Sequence, residues 1–180
     1  MRDGIQSQDA FVISENAGLI PHAAASVPLY RAGITPSSSR KLILLAGVSP
    51  GIRARVAQFE CSLPVKAADV AALMDTCTRF CSLSDRGDMG GLPGYMIAKA
   101  SSMMKQGDLH EAVDVLWCAT RMSLPAVEAQ EKSRPLLQEW LRGVGWEGAD
   151  ALGVKLRLAE SLLSDVEQIA NGGSKNVVTP

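Results

Sequence analysis

Aromatic residues are scarce in this chain. Phe, Trp and Tyr together make up 4% of 180 residues, and a β-sandwich or barrel core leans on such side chains, so an all-β fold is disfavoured. Alternating apolar and polar runs of strand length are also missing. Charge of either sign is not in excess: the formal net charge is −1, which leaves little support for phosphate-driven binding of nucleic acid. No apolar run reaches the roughly 20 residues of a membrane span. The opening residues, MRDGIQSQDAF, bring in an acid at once and carry no apolar h-region of a secretory signal. The expected location is therefore the cytoplasm. Histidine is limited to His22 and His110, far apart in sequence. Cys61, Cys77, Cys81 and Cys118 contain no CxxC, although Cys77 and Cys81 stand one helical turn apart. A structural zinc site wants four convergent soft ligands. No metal and no cofactor is expected, and the thiols read as small buried hydrophobes.

What the chain does have is 47% apolar residues. With few aromatics among them, Ala, Leu, Val and Met must do the packing, which favours closely packed helices. The length suits one domain with appendages. Residues 1–35 mix Gly, Ser, Gln and Pro with scattered apolar residues and hold no lasting period. They read as a loosely ordered N-terminal arm, clipped down by Phe11, Val12 and Ile13. Residues 36–171 read as a helical-repeat domain and 172–180 as a flexible tail.

Helix signals begin at Thr35-Pro36, an N-cap with proline at the first helical position. They lead through Arg40 to Ala46 and a stop at Gly47. Ser49-Pro50 repeats the device for a helix to about Cys61. A third helix spans Ala67 to about Cys81, with Val70, Leu73, Cys77 and Phe80 at helical spacing. The segment from Arg86 to Gly94 is a loop; no Gly-Lys-Ser/Thr follows it, so it is no phosphate loop. Ser133 and Pro135 start or kink a helix, and Gly143, Gly145 and Gly148 mark the next break. The last helix, about 149–170, places Leu152, Leu156, Ala159, Leu163 and Val166 on one stripe and Lys155 off it. Asn171-Gly172-Gly173 ends it.

Catalytic groups do not assemble. His110 with Asp108 or Glu111 fails as an acid/base pair because adjacent helical residues point apart. Ser133, Ser161 and Cys118 have no histidine at a readable offset to serve as base. The expectation is no catalytic residue and no enzyme. Trp117, Trp140 and Trp146 read as core or interface anchors, since no basic stripe accompanies them.

The segment 93–125, PGYMIAKASSMMKQGDLHEAVDVLWCATRMSLP, reads as two antiparallel helices. Gly107-Asp108 supplies the turn. Ala100, Ala112 and Ala119 are small where the axes must approach within about 8 to 10 Å. Leu116 fills the gap between the alanines, Pro125 stops the second helix, and Glu111 is expected at the surface. This order of residues is similar to the tetratricopeptide repeat.

A closer resemblance covers Met96 to Gly172. IAKASSMMKQGDLHEAV, from Ile97 to Val113, resembles the central repeat of the YscG-type chaperones of bacterial type III secretion. Leu124-Pro125, the run from Leu136 to Gly143, and the leucine-rich final helix follow in similar order. The resemblance implies an all-α fold, with tetratricopeptide-like hairpins forming a short superhelical bundle. It implies a cytosolic chaperone that holds the amphipathic helix of a needle or filament subunit, together with a small helical co-chaperone. In a tetratricopeptide register the groove-facing positions of the first helix are Gly94, Ile97, Ser101, Met104 and Lys105. The methionines Met96, Met103, Met104 and Met122 suit either a groove or core gap-filling. Two other readings stand beside this one. The first is a general helical-repeat adaptor for some other peptide. The second is a small DNA-binding regulator using residues 49–63, with Arg53 and Arg55 on phosphates.

Overall fold

A computed structural model describes residues 9–36, 40–62, 65–84 and 91–172. Among these the chain forms α-helices and no strand: α1 Ala10–Arg31, α2 Lys41–Val48, α3 Pro50–Glu60, α4 Ala67–Cys81, α5 Leu92–Gln106, α6 Leu109–Val127, α7 Ser133–Gly143 and α8 Ala149–Ala170. The all-α expectation holds. The Arg-Gly-Asp triplet at 86–88, and all but the first residue of the expected tail at 172–180, lie outside the described residues; the expected 86–94 loop is shorter than that, since Leu92, Pro93 and Gly94 already open α5.

The largest correction concerns the arm. Residues 10–31 form a helix of 22 residues, packed against α2, α3, α6, α7 and α8. Asp9 caps it, its Oδ1 accepting the N–H of Phe11 at 2.9 Å. Ala24, Ala25 and Leu29 are fully buried. A helix touched on several sides by neighbours needs no polar face, so it shows no amphipathic period. Pro21 and Pro28 lie inside it and each removes one backbone donor, a loss of about 3 kcal/mol in an isolated helix. Burial among five helices offsets that loss.

The middle of the chain follows its local signals. Pro50 occupies the first position of α3, and α4 buries Val70, Leu73, Cys77 and Phe80 as its spacing requires. The helix expected after Thr35-Pro36 begins later, at Lys41, and runs through Gly47 to Val48. α5 and α6 form the hairpin. Gly107 takes the left-handed conformation, φ 86°, that closes α5, and Ala100, Ala112 and Ala119 are fully buried. Pro125 does not stop α6, which continues to the fully buried Val127. Every residue from Glu111 to Thr120 is buried, because α6 touches α1, α2, α3, α4 and α5. Glu111 is thus not a surface residue. α7 crosses α4 so closely that a Cβ on Gly143 would meet Leu73 Cδ2 at 2.7 Å.

Aromatic rings join the layers. Trp117 of α6 stands edge-on to Trp140 at 5.4 Å and to Trp146 at 5.9 Å, and Trp146 stands edge-on to Phe59 at 5.0 Å. The indole N–H groups of Trp117 and Trp146 donate to the carbonyls of Glu60 and Phe59, both at 3.0 Å. In α8 the buried stripe is Leu152, Lys155, Ala159 and Leu162. The sequence places Leu163 there instead, but it is 45% exposed. Lys155 is in the core because its ammonium group finds acceptors: it donates to the Gln58 carbonyl at 2.9 Å and to that of Phe59. It also lies 5.0 Å from the centre of the Trp146 ring.

Candidate functional site

α4 and α5 pack side by side and leave a groove of about 450 Å³ along their outer faces. One wall is Ala71, Met74, Asp75 and Thr78; the other is Gly94, Ile97, Ala98 and Ser101. Both sets follow i, i+3, i+4, i+7, the positions that share one helix face over two turns. The groove is open because four of the eight residues are Gly, Ala or Ser. Met74 and Ile97 are half-buried and packed against the core, giving an apolar floor. The Thr78 hydroxyl donates to the Met74 carbonyl at 2.7 Å. Asp75 stands on the rim, paired to Arg79 at 2.9 Å.

Of the five positions selected from sequence, the structure brings Gly94, Ile97 and Ser101 together in this groove. Met104 lies one turn further along α5, half-buried against the core, and Lys105 is exposed beyond it; neither lines the groove. The α4 wall was not selected from sequence. The signal for it exists: Ala71, Met74 and Thr78 fall off the buried stripe of α4, at the spacing of a second face.

A larger hollow, about 520 Å³, lies between α4 and α7, with Cys61 and Leu73 in its lining. Several of the charges at its rim are paired. The Glu139 carboxylate accepts from Thr76 at 2.8 Å and from Arg79 at 2.5 Å, and Arg142 pairs with Glu147 at 2.6 Å.

The most charged location is inside the protein. Lys41 of α2 pairs with Glu60 of α3 at 2.6 Å and with Asp114 of α6, all three almost wholly excluded from water. Burial and the Asp114 carboxylate push Glu60 up to about 8, against the pull of Lys41. Burial raises Asp114 as well. Burial opposes charge on Lys41, but Asp114 and Glu60 more than offset it and hold its amine above the usual range. Beside this triad Glu111 pairs with Arg53 at 2.5 Å. Cys118 is pushed up to about 11 by burial and the Asp114 carboxylate, so near neutrality it is a thiol and a poor nucleophile. His22, half-buried, is held below its usual value by burial and by Lys41 and Arg121. None of Lys41, Glu60, Asp114 and Cys118 lines a described cavity.

All four cysteines are buried free thiols, and among the described residues no three His, Cys, Asp or Glu side chains converge as metal ligands. Arg53 and Arg55, the phosphate contacts of the DNA-binding reading, are engaged internally, Arg53 with Glu111 and Arg55 with Asp165. Among the described residues no helix is long and apolar enough to cross a membrane. No family model matches the chain, and neither the curated proteins nor the solved structures give a match.

Proposed function

We propose that this protein is a non-enzymatic helix-binding chaperone. Its α4–α5 groove would take the amphipathic helix of a secreted needle or filament subunit and keep that subunit from polymerising in the cytoplasm. The observation that carries the reading is the two-turn groove itself: its floor is apolar, its walls repeat at helical spacing, and three of its residues are groove positions of a tetratricopeptide register. A helix that polymerises through an apolar face is masked by such a surface. Side chains such as Met74 adapt to an irregular apolar partner. A small helical co-chaperone completes the proposed complex, in line with the resemblance of residues 96–172 to the YscG-type chaperones.

The test is co-expression with the products of neighbouring genes, followed by affinity capture and mass spectrometry. The reading expects a short helical filament subunit to be retained by the wild-type chain and lost with Ile97→Asp. Capture of an unrelated peptide-bearing protein through the same groove would favour the general adaptor instead.

A further inference from the structure

Cys77 and Cys81 stand one turn apart on α4, and their sulfurs touch at 3.8 Å. Both are buried against α6, and what they meet there is polar. The Cys77 sulfur lies 3.4 Å from the Thr120 hydroxyl and 3.7 Å from the Leu116 carbonyl. The Cys81 sulfur lies 3.8 Å from the Ala119 carbonyl and also bonds to the Ser123 hydroxyl. Thr120 and Ser123 donate to carbonyls of their own helix at 3.0 and 3.1 Å. A turn about χ1 aims either hydroxyl at sulfur instead. The hydrogen bond from Cys77 holds the Cys81 thiol below its usual range, and the same bond, with burial, holds Cys77 above it. The pair therefore sheds its first proton at Cys81.

Geometry separates the uses of such a pair. A disulfide needs Cβ atoms about 3.5 to 4.5 Å apart, whereas helical neighbours at i, i+4 hold theirs about 5 to 6 Å apart. Closing one would unwind the end of α4. Zinc prefers four ligands in a tetrahedron, and among the described residues no third His, Cys, Asp or Glu converges on the pair. Copper(I) is soft, selects thiolates and is satisfied by two of them. With a metal–thiolate bond of about 2.3 Å, two sulfurs about 4.6 Å apart hold an ion in line between them. The pair has to part by about 0.8 Å, which side-chain rotation supplies. The i, i+4 spacing is also the one by which a single helix presents two metal ligands on one face. Cys81 is the last residue of α4, and a terminal turn opens locally at small cost, giving the ion its entry.

We propose that Cys77 and Cys81 form a two-coordinate site for copper(I), with the Thr120 and Ser123 hydroxyls donating to the bound thiolates. Both S–H groups lose their protons to solvent on binding, and no electron changes hands. Two thiolates and one monovalent ion leave a single negative charge, which the two hydroxyls stabilise. Neither sulfur lines the α4–α5 groove, so the site and the groove stand or fall separately.

The test titrates the full chain, reduced and free of oxygen, with copper(I) in competition with a coloured chelator of known affinity. One ion per chain is expected, with two protons released per ion and X-ray absorption showing two sulfur neighbours. Cys77→Ala or Cys81→Ala should weaken binding at least about a hundredfold, while Cys61→Ala/Cys118→Ala keeps it. Thr120→Val, which retains both thiols and the shape of the side chain, should weaken it about tenfold. Should either single alanine variant fail to fold, the sulfur count in the wild type, the Cys61→Ala/Cys118→Ala variant and Thr120→Val decide. The proposal is overturned if the single variants bind as the wild type does, or if Cys61→Ala/Cys118→Ala loses the ion. Three or more sulfur neighbours would overturn it as well, as would loss of the helical circular dichroism signal as copper binds.

Discussion

Lys41, at the start of α2, is bonded to Asp114, in the middle of α6, across 73 positions of sequence, and neither side chain reaches water. With Glu60 the pair pins α2 and α3 onto the most buried helix of the molecule. Two carboxyls around one amine make the arrangement sensitive both to substitution and to pH.

Removing the cation should be severe. Lys41→Met leaves two buried carboxyls with no counter-charge, an expected loss of about 3 to 5 kcal/mol in urea denaturation. Replacing the whole set, Lys41→Met/Glu60→Gln/Asp114→Asn, should recover much of that loss, because no buried charge is then left uncompensated. A triple variant as unstable as Lys41→Met would show that packing, not charge, causes the damage.

The pH dependence has a worked sign. Glu60 is held near 8 in the folded chain, above its ordinary 4.5. It contributes most below 4.5, and that contribution is lost as pH rises toward 8. Asp114, also raised by burial, acts in the same direction. Lys155 is pushed down by burial from 10.5 to about 7, so its contribution is present above 10.5 and lost as pH falls toward 7. Thermal midpoints should therefore decline from pH 5 toward neutrality and rise again on the alkaline side. Glu60→Gln should flatten the acid limb, and Lys155→Met the alkaline one. Unchanged limbs in both variants would remove these groups from the account.

In the hairpin, Ala112→Leu or Ala119→Leu should overpack the α5–α6 contact and lower stability by about 1 to 3 kcal/mol. Glu111→Gln, which sequence alone treats as harmless within about 0.5 kcal/mol, should lower it by about 1 kcal/mol. It weakens a charge-assisted bond to Arg53 at a buried position. Chemical denaturation of the three variants side by side decides the matter.

The outer face of α5 should divide its residues by role. Ile97→Asp and Ser101→Asp would set a carboxylate against the apolar face of a bound helix, whose desolvation is costly. Both should weaken peptide binding by at least about a hundredfold, Ser101→Asp with little change in melting and Ile97→Asp with some loss of stability, because Ile97 also packs on the core. Lys105→Asp should alter neither. Met104→Asp should destabilise the fold first, since Met104 packs on the core. Loss of binding without loss of stability at Met104 would extend the groove by one turn.

Capping and turn signals located α3, α7 and α8 closely, because Pro50, Ser133, Gly143 and Gly148 act on the backbone beside them, and the spacing of Val70, Leu73, Cys77 and Phe80 located α4. The α5 half of the groove was legible for a similar reason: Gly94, Ile97 and Ser101 share one face of one helix. Its α4 half was not, since Met74 and Thr78 meet Ile97 only through packing. α1 escaped detection because its exposed positions include Val12, Leu19 and Tyr30, so apolar residues on both faces leave no period. Lys41, Glu60, Asp114 and Lys155 escaped for the converse reason. A charge is assigned to water by any hydropathy pattern, and only the partners supplied by distant helices make its burial possible.

The closure of α1 on α8, where Arg31 donates to the Ala170 carbonyl at 2.5 Å across 139 positions, bears on how the chain is made. At roughly 5 to 20 residues per second on the ribosome, α1 is complete on the order of ten seconds before the segment it must meet. During that interval a helix with apolar residues on every side waits without its final neighbour. Contacts of such long sequence separation form slowly, and the waiting surface is open to other nascent chains. Synthesis and folding are thus coupled from end to end: truncation within α8 should leave α1 unsheltered and the product prone to aggregate, even though every helix before it is intact.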